Sequence, residues 1–225
     1  MEAARMGGRE ADVAPAPAPA GGVTAGAGWT PADPGPLGLA GFALTTFVLS
    51  MINANLVGGG VETAAGIVAG LALAYGGIAQ FVAGVWEFRT GNTFGATAFC
   101  SFGAFWISFY ILLHIGAAAL PKTEIFSAVG LYLWAWAIFT AYMFIASLRT
   151  TGAVALVFIL LTITFIVLGI GNSALAGGTA LTNGTVKLGG YLGIATAIAA
   201  WYASFAGVTN STFGRTVLPV FPLRR

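Results

Sequence analysis

Few side chains in this chain can do chemistry, and their spacing narrows what that chemistry is. Sixteen residues are charged, nine Lys or Arg and seven Asp or Glu, and they leave six uncharged stretches at 34–61, 63–86, 90–121, 125–148, 150–186 and 188–214. His114 is the one histidine and Cys100 the one cysteine. A single cysteine excludes a disulfide framework or a Cys-based metal site. No paired carboxylates, metal ligands or Ser–His arrangement occur within the uncharged stretches, so neither an enzyme, a metal nor a cofactor is expected there. What remains is a set of neutral donors and acceptors. Thr45, Thr46 and Ser101 carry hydroxyls, and Asn53, Gln80 and Asn172 carry amides. Such groups can replace water around a small anion. Their other use is internal: hydroxyls bond their own i−4 carbonyls, and amides tie helices together. His114 is read as a packed or interfacial side chain.

The elements that position these groups follow from the same pattern. Only 7% of the residues are charged and 58% are apolar, whereas a soluble domain has about 25% charged residues. The solvent of this chain is therefore lipid. Each uncharged stretch can hold the ~20 apolar residues that span a bilayer as a helix. Lipid leaves backbone groups unanswered, so spans are helices or closed barrels. Runs such as Ala153 to Ile170 do not alternate apolar with polar as barrel strands do. The expected fold is all-α and polytopic, with six helices near 37–56, 64–86, 94–119, 125–148, 152–170 and 188–206. The fifth stretch is counted as one span, because Gly169 to Thr185 is rich in Gly, Asn and Thr and reads as a loop.

Residues 1–33 form a low-complexity tail, with Ala and Pro alternating from Ala14 to Ala20, and are expected to be disordered. No apolar h-region marks a signal peptide there. Residues 34–208 form the membrane domain and 209–225 a cytoplasmic tail. With a cytoplasmic N-terminus, seven of nine basic residues fall inside: Arg5, Arg9, Arg89, Arg149, Arg215, Arg224 and Arg225. Lys122 and Lys187 fall outside, so the positive-inside rule places both termini in the cytoplasm. A net charge of +2 is too small and scattered for nucleic acid. Glu87 and Arg89 bracket the end of the second helix and read as an interfacial anchor. Gly66-Ile-Val-Ala-Gly70 and Gly189-Gly-Tyr-Leu-Gly193 have the small-xxx-small spacing that lets helices approach closely.

Three segments resemble one family, the acetate uptake transporters, also called the GPR/FUN/YaaH family, which includes bacterial succinate-acetate permeases. Asp33-Pro34-Gly35-Pro36-Leu37-Gly38-Leu39, followed by Thr45-Thr46, is similar to that family's Asn-Pro-Ala-Pro-Leu-Gly-Leu signature. Tyr75-Gly-Gly-Ile-Ala-Gln80, Glu87 and Gly91-Asn92-Thr93-Phe94-Gly95 form the second segment. Phe213-Gly-Arg-Thr-Val-Leu-Pro219 is the third. The resemblance implies a six-helix protein with a path through each protomer, a homo-hexameric assembly and a place in the inner (plasma) membrane of a microbe. It implies a hydrophobic constriction at Phe42, Phe102 and Leu161, on the first, third and fifth helices. It also makes Pro34, Pro36 and Leu37 candidates for the substrate entrance, and Glu87, Asn92 and Thr93 candidates at the cytoplasmic face. Asp33 replaces the family's Asn, Gly35 its Ala, and Phe102 the Tyr of bacterial members.

No Lys or Arg lies within any expected span, so an anion is not held tightly at mid-membrane. The start of the first helix, entered through Pro34 and Pro36, can receive it through free N–H groups and the helix dipole. Thr45, Thr46, Asn53, Gln80 and Ser101 can then stand in for water, and a Phe- and Leu-lined neck suits a methyl group. Acetate and similar small carboxylates, succinate included, are the expected cargo, moving by channel-like flux or with a proton carried on the acid itself. Two other classes stay open: a channel for water or small neutral solutes, and a membrane scaffold or sensor without transport. The topology is directly testable. A cysteine at Gly178 should label from outside the cell and one at the C-terminus only from inside; equal labelling of both from outside would overturn the assignment.

Overall fold

A computed structural model describes residues 29, 31–57, 61–116, 119–121, 124–175 and 183–223. By its internal contacts the chain divides into Met1–Thr30 and Pro31–Arg225, and the fold below is that of the second unit. Nearly all of the tail expected to be disordered, together with Gly178, lies outside the described residues. Seven α-helices are described: α1 (Gly35–Asn53), α2 (Val61–Leu73), α3 (Gln80–Thr90), α4 (Thr93–Ile111), α5 (Ile125–Ser147), α6 (Gly152–Ala174) and α7 (Gly184–Phe213). A π-helical segment, Ala74–Ala79, joins α2 to α3 without a break, and another, Leu112–Gly116, extends α4. The result is six helices long and apolar enough to cross a membrane, in the order expected. Among the described residues the only β-type pairing is an isolated antiparallel bridge between Thr151 and Pro222.

The helix ends follow local chemistry. Asn92, Thr151 and Asn183 are the N-caps of α4, α6 and α7, their side-chain oxygens accepting the N–H of Gly95, Val154 and Val186. α3 ends at Gly91 and α7 at Gly214, both left-handed with φ of +77° and +62°, a conformation that glycine adopts without a Cβ penalty. Several ends differ from the expected ones, and two of the extensions have a visible cause. α6 runs on to Ala174, because Asn172 turns its amide back onto the Leu168 carbonyl at 2.8 Å rather than breaking the helix. α7 reaches Phe213, past the end of the apolar stretch, because its last turns are held by the C-terminal segment rather than by lipid.

That segment is firmly tied. Asn210 Oδ1 accepts the N–H groups of Val217 and Leu218 at 2.7 and 2.9 Å, and its Nδ2 donates to the Leu218 carbonyl at 2.8 Å. Tyr202 donates to the Pro219 carbonyl at 2.6 Å. The chain then crosses to the start of α6, where the Phe221 and Val220 carbonyls accept from Gly152 and Ala153 at 2.7 and 3.3 Å. These are N–H groups that a helix leaves unsatisfied at its first turn.

Inside, an aromatic-rich core forms around α4. The Phe102 ring lies 5.7 Å from Phe42 on α1, 5.4 Å from Phe139 on α5 and 6.1 Å from Phe158 on α6. The π-helical segment packs against α1: a Cβ at Gly41 would come within 2.6 Å of the Tyr75 carbonyl, and one at Gly76 within 2.6 Å of Thr45 Oγ1. Only glycine permits that approach. Gly189 packs on Leu168 and Gly193 on Ser50, so the second small-xxx-small pair joins helices within one protomer, whereas Gly66 and Gly70 have nothing within 4 Å.

Asn210→Ala removes all three bonds that start the C-terminal crossing. At ~1 kcal/mol per bond the segment should loosen by about 3 kcal/mol at most. Trypsin cleavage after the exposed Arg215 should then accelerate several-fold while the membrane core stays folded; an unchanged cleavage rate would show that the segment is held elsewhere.

Candidate functional site: two cavities and the partition between them

α1, α4 and α6 run parallel, and this arrangement builds the site. Their N-terminal ends, with Pro36, Phe94 and Val154, line one cavity of about 580 Å³, together with Glu87, Asn210 and Val220. Further along the same helices, Asn53 and Asn172 line a second cavity of about 240 Å³, together with Thr46 and Trp106. The first cavity lies at the end of the bundle where α1 begins and α7 finishes.

Between the cavities stands an apolar partition. Phe42 and Leu161 line the second cavity, while Phe158, one turn earlier on α6 than Leu161, lines the first. Phe102 touches both Phe42 and Phe158 and lines neither. Phe42, Phe102 and Leu161 are all buried and belong to one cluster. The three residues assigned to a constriction are thus brought together, on three helices, at the level that separates the two spaces.

The other residues singled out in the sequence fall into distinct places. At the first cavity, Asp33 Oδ1 accepts the Gly35 N–H at 2.8 Å. The helix start expected to receive an anion therefore already holds a carboxylate of its own. Pro34 is buried, its carbonyl accepting from Gly38, and the Pro36 carbonyl accepts the Ser204 hydroxyl at 2.7 Å. Leu37 is 44% exposed and lines neither cavity. That exposure puts it on the outer face of α1.

Glu87 faces inward with 2% exposure and accepts the Thr90 hydroxyl at 3.1 Å, rather than anchoring at the surface beside Arg89, which is exposed. Asn92 lines the same cavity, but its oxygen is occupied as the α4 cap. Thr93 is exposed and outside both cavities. The described lining of the first cavity holds two carboxylates, Asp33 and Glu87, and no cation.

At the second cavity, Thr46, Asn53 and Asn172 are part of the lining. Thr45 is not; its hydroxyl bonds back to the Gly41 carbonyl at 2.9 Å. Gln80 is fully buried outside both cavities, and Ser101 is half-buried outside both. His114 is exposed, its ring 4.6 Å from that of Tyr110.

Sequence reasoning passed over Trp106, Asn210 and Val220. The signal for Trp106 was present: it sits four residues after Phe102, hence on the same helix face. Asn210 and Val220 act through contacts between distant segments, which no local pattern reveals.

The sequence profile of the GPR1/FUN34/yaaH family matches residues 21–225. The chain belongs to this family. Acetate permease A of Emericella nidulans is 41% identical over 198 residues, covering 84% of this chain and 65% of the relative, so the chain spans just under two thirds of that protein's length. The succinate-acetate/proton symporter SatP of Escherichia coli is 38% identical over 189 residues, covering 84% of this chain and 95% of the relative. Among solved structures, the bacterial acetate channel SatP superposes with a TM-score of 0.73 at 36% identity, covering 84% of this chain and 99% of that chain.

The Asp33–Gly35 bond at the entry to α1 makes a quantitative test. Asp33→Asn keeps a side-chain oxygen for the Gly35 N–H and should leave thermal stability close to the parent. Asp33→Ala loses it and should cost ~1 kcal/mol. Equal midpoints for the Asn and Ala variants would mean that the bond contributes nothing.

Proposed function

We propose that this chain carries acetate and related small carboxylates across a microbial inner (plasma) membrane, by a path within each protomer that joins the two cavities through the Phe42–Phe102–Leu161 partition. The observation that carries this reading is the pair of cavities at opposite ends of three parallel helices, divided by one apolar layer. The names of the relatives point to the same cargo.

Chemistry supports it. The described linings of both cavities contain no Lys or Arg, so a carboxylate is held only by neutral donors and is released readily, as conduction requires. The partition is matched to a methyl end and excludes hydrated ions. Asp33 and Glu87 at the first cavity disfavour an unaccompanied anion, which favours passage of acetate together with a proton on the acid. In this reading both termini are cytoplasmic, as the distribution of Lys and Arg favours, and the 580 Å³ cavity opens to that side. A homo-hexamer is proposed on the family resemblance; the unpartnered Gly66 and Gly70 face is consistent with close helix contact between protomers.

Purified protein in liposomes should take up labelled acetate, saturating only at high concentration. A low-micromolar dissociation constant, about −8 kcal/mol of binding, would contradict a site made of neutral donors. Transport of water or glycerol without acetate would favour a neutral-solute channel, and no flux at all a scaffold or sensor. Within the partition, Leu161→Ala should raise the succinate-to-acetate uptake ratio with little loss of acetate flux, and Phe102→Tyr should be tolerated. If Leu161 were only a packing residue, its truncation would cost ~2–5 kcal/mol, and folded yield and all uptake would fall together. An unchanged ratio, normalised to folded protein, would remove these residues from the path.

A further inference from the structure

The C-terminal segment that follows α7 is built into the wall of the larger cavity. Val220 and Pro222 both line that 580 Å³ space, beside Thr150, Thr151 and Val154 at the start of α6. The segment is fastened at two places of different character. Its near end is held to α7, the helix it has just left, by the Asn210 side chain and the Tyr202 hydroxyl. Its far end is held to the start of α6 by backbone hydrogen bonds. Gly152 and Ala153 donate to the Phe221 and Val220 carbonyls, and Leu223 donates to the Thr150 carbonyl at 3.0 Å. Thr151 and Pro222 pair there as an antiparallel bridge.

The far fastening is poor in packing and strained in backbone. Across residues 217–223 no side chain is buried: Leu218 and Val220 are half-buried and the others are exposed. Segments with few buried apolar groups and solvent-exposed backbone bonds are the first to open locally. Phe221 has a φ of +54°, and among the described residues the one other non-glycine with positive φ is Asn55. Asparagine tolerates this left-handed conformation, whereas the Cβ of a phenylalanine crowds the following carbonyl. The Phe221 ring does not pin the residue, being 59% exposed and outside the cavity lining. The conformation is enforced by the bonds beside it, from Gly152 to the Phe221 carbonyl and from Leu223 to Thr150. Strain of this kind persists only where the surroundings enforce it, and it is common in switch regions.

We propose that residues 217–223 form a gate on the first cavity, hinged on α7 through Asn210 and Tyr202 and latched to α6 through Thr150, Gly152 and Ala153. Latched, the segment closes one flank of the cavity with Val220 and Pro222 and holds Phe221 strained. Released, it widens the cavity at the end where α1 begins and α7 finishes. Phe221 then returns to a negative φ, and water answers the freed N–H groups of Gly152 and Ala153. The gate rests on the transport reading above and adds to it a moving part separate from the Phe42–Phe102–Leu161 partition.

Two sets of variants of the full chain test it. In a Cys100→Ala background, Thr151→Cys with Pro222→Cys places two thiols at the bridge, where paired Cα atoms lie ~4.5–5.5 Å apart, within reach of a disulfide. Oxidation with copper phenanthroline should lower the initial rate of acetate uptake in proteoliposomes by at least about fivefold, because the released state is removed. Dithiothreitol should restore the rate, and neither reagent should change it in the single-cysteine variants. The second set acts on the latch without altering the cavity lining. Phe221→Asn eases the left-handed conformation, and Phe221→Val worsens it, because β-branched residues tolerate it least. Hydrogen exchange at the Gly152 and Ala153 amides should be slower than in the parent for the Asn variant and faster for the Val variant. Acetate uptake should follow the same order, by about threefold in each direction.

Uptake unchanged by a disulfide whose formation is confirmed by thiol titration would overturn the gate and make the segment a fixed wall. Failure of the cysteine pair to oxidise would overturn it too, because the segment would not be seated on α6. So would amide exchange indifferent to both Phe221 variants, or exchange that shifts while uptake does not. A parent that takes up no acetate, with exchange still ordered by the Phe221 variants, would instead remove the transport reading and leave a latch without cargo.

Discussion

Lipid offers no hydrogen-bond partner, and most of what this molecule does with its polar atoms follows from that constraint. Buried threonines fold their hydroxyls back onto helix carbonyls, Asn172 does the same with its amide, and Asn92 and Asn183 close the starts of helices. The start of α6 is closed from a distance: carbonyls near the end of the chain come back to meet the N–H groups of Gly152 and Ala153. Against this background, three buried polar atoms among the described residues stand out because they have no such partner: Thr46 Oγ1, Gln80 Oε1 and Trp106 Nε1.

The second organising element is the aromatic layer. Phe102 stands in contact with rings from α1, α5 and α6, so the partition is part of the packed core rather than a flap hung in a tube. Close packing of this kind resists small deformation. In the transport reading proposed above, opening a path through it requires rings to turn together, and selectivity comes from apolar shape instead of charge. The close approach of α1 to the π-helical segment, through Gly41 and Gly76, fixes Phe42 at the height where it meets Phe102. π-Helical turns of this kind are frequent near functional sites.

Much of the fold was legible because charge is so scarce. Sixteen charged residues punctuate the chain, and the six spans follow that punctuation, although helix ends run past Glu62, Glu87, Arg89 and Lys187. The displacements have local causes, such as Asn172 bonding inward and α7 being prolonged by the segment that Asn210 ties down. The site was legible only in part. Phe42, Phe102 and Leu161 were chosen through a family resemblance and meet in space. Thr45 and Thr46 were indistinguishable as neighbours in a motif, yet one is spent on a helix carbonyl and the other is not. Leu37 and Thr93 belong to the same motifs and lie on outward faces.

What the sequence determined by itself was the solvent, the number of crossings and the chemistry withheld from the spans. Those depend on composition and on the spacing of charges, which any chain order of helices would preserve. Only the tertiary structure decided which helix faces look inward, that α1, α4 and α6 share one pair of cavities, and that Glu87 turns inward while Arg89 does not. The physical reason is that these spans are apolar nearly all round, so no amphipathic stripe marks an inner face. The choice of face is made by shape, through glycines that admit a neighbouring backbone and rings that fill the space between helices, and shape complementarity between distant segments is not written in any local pattern.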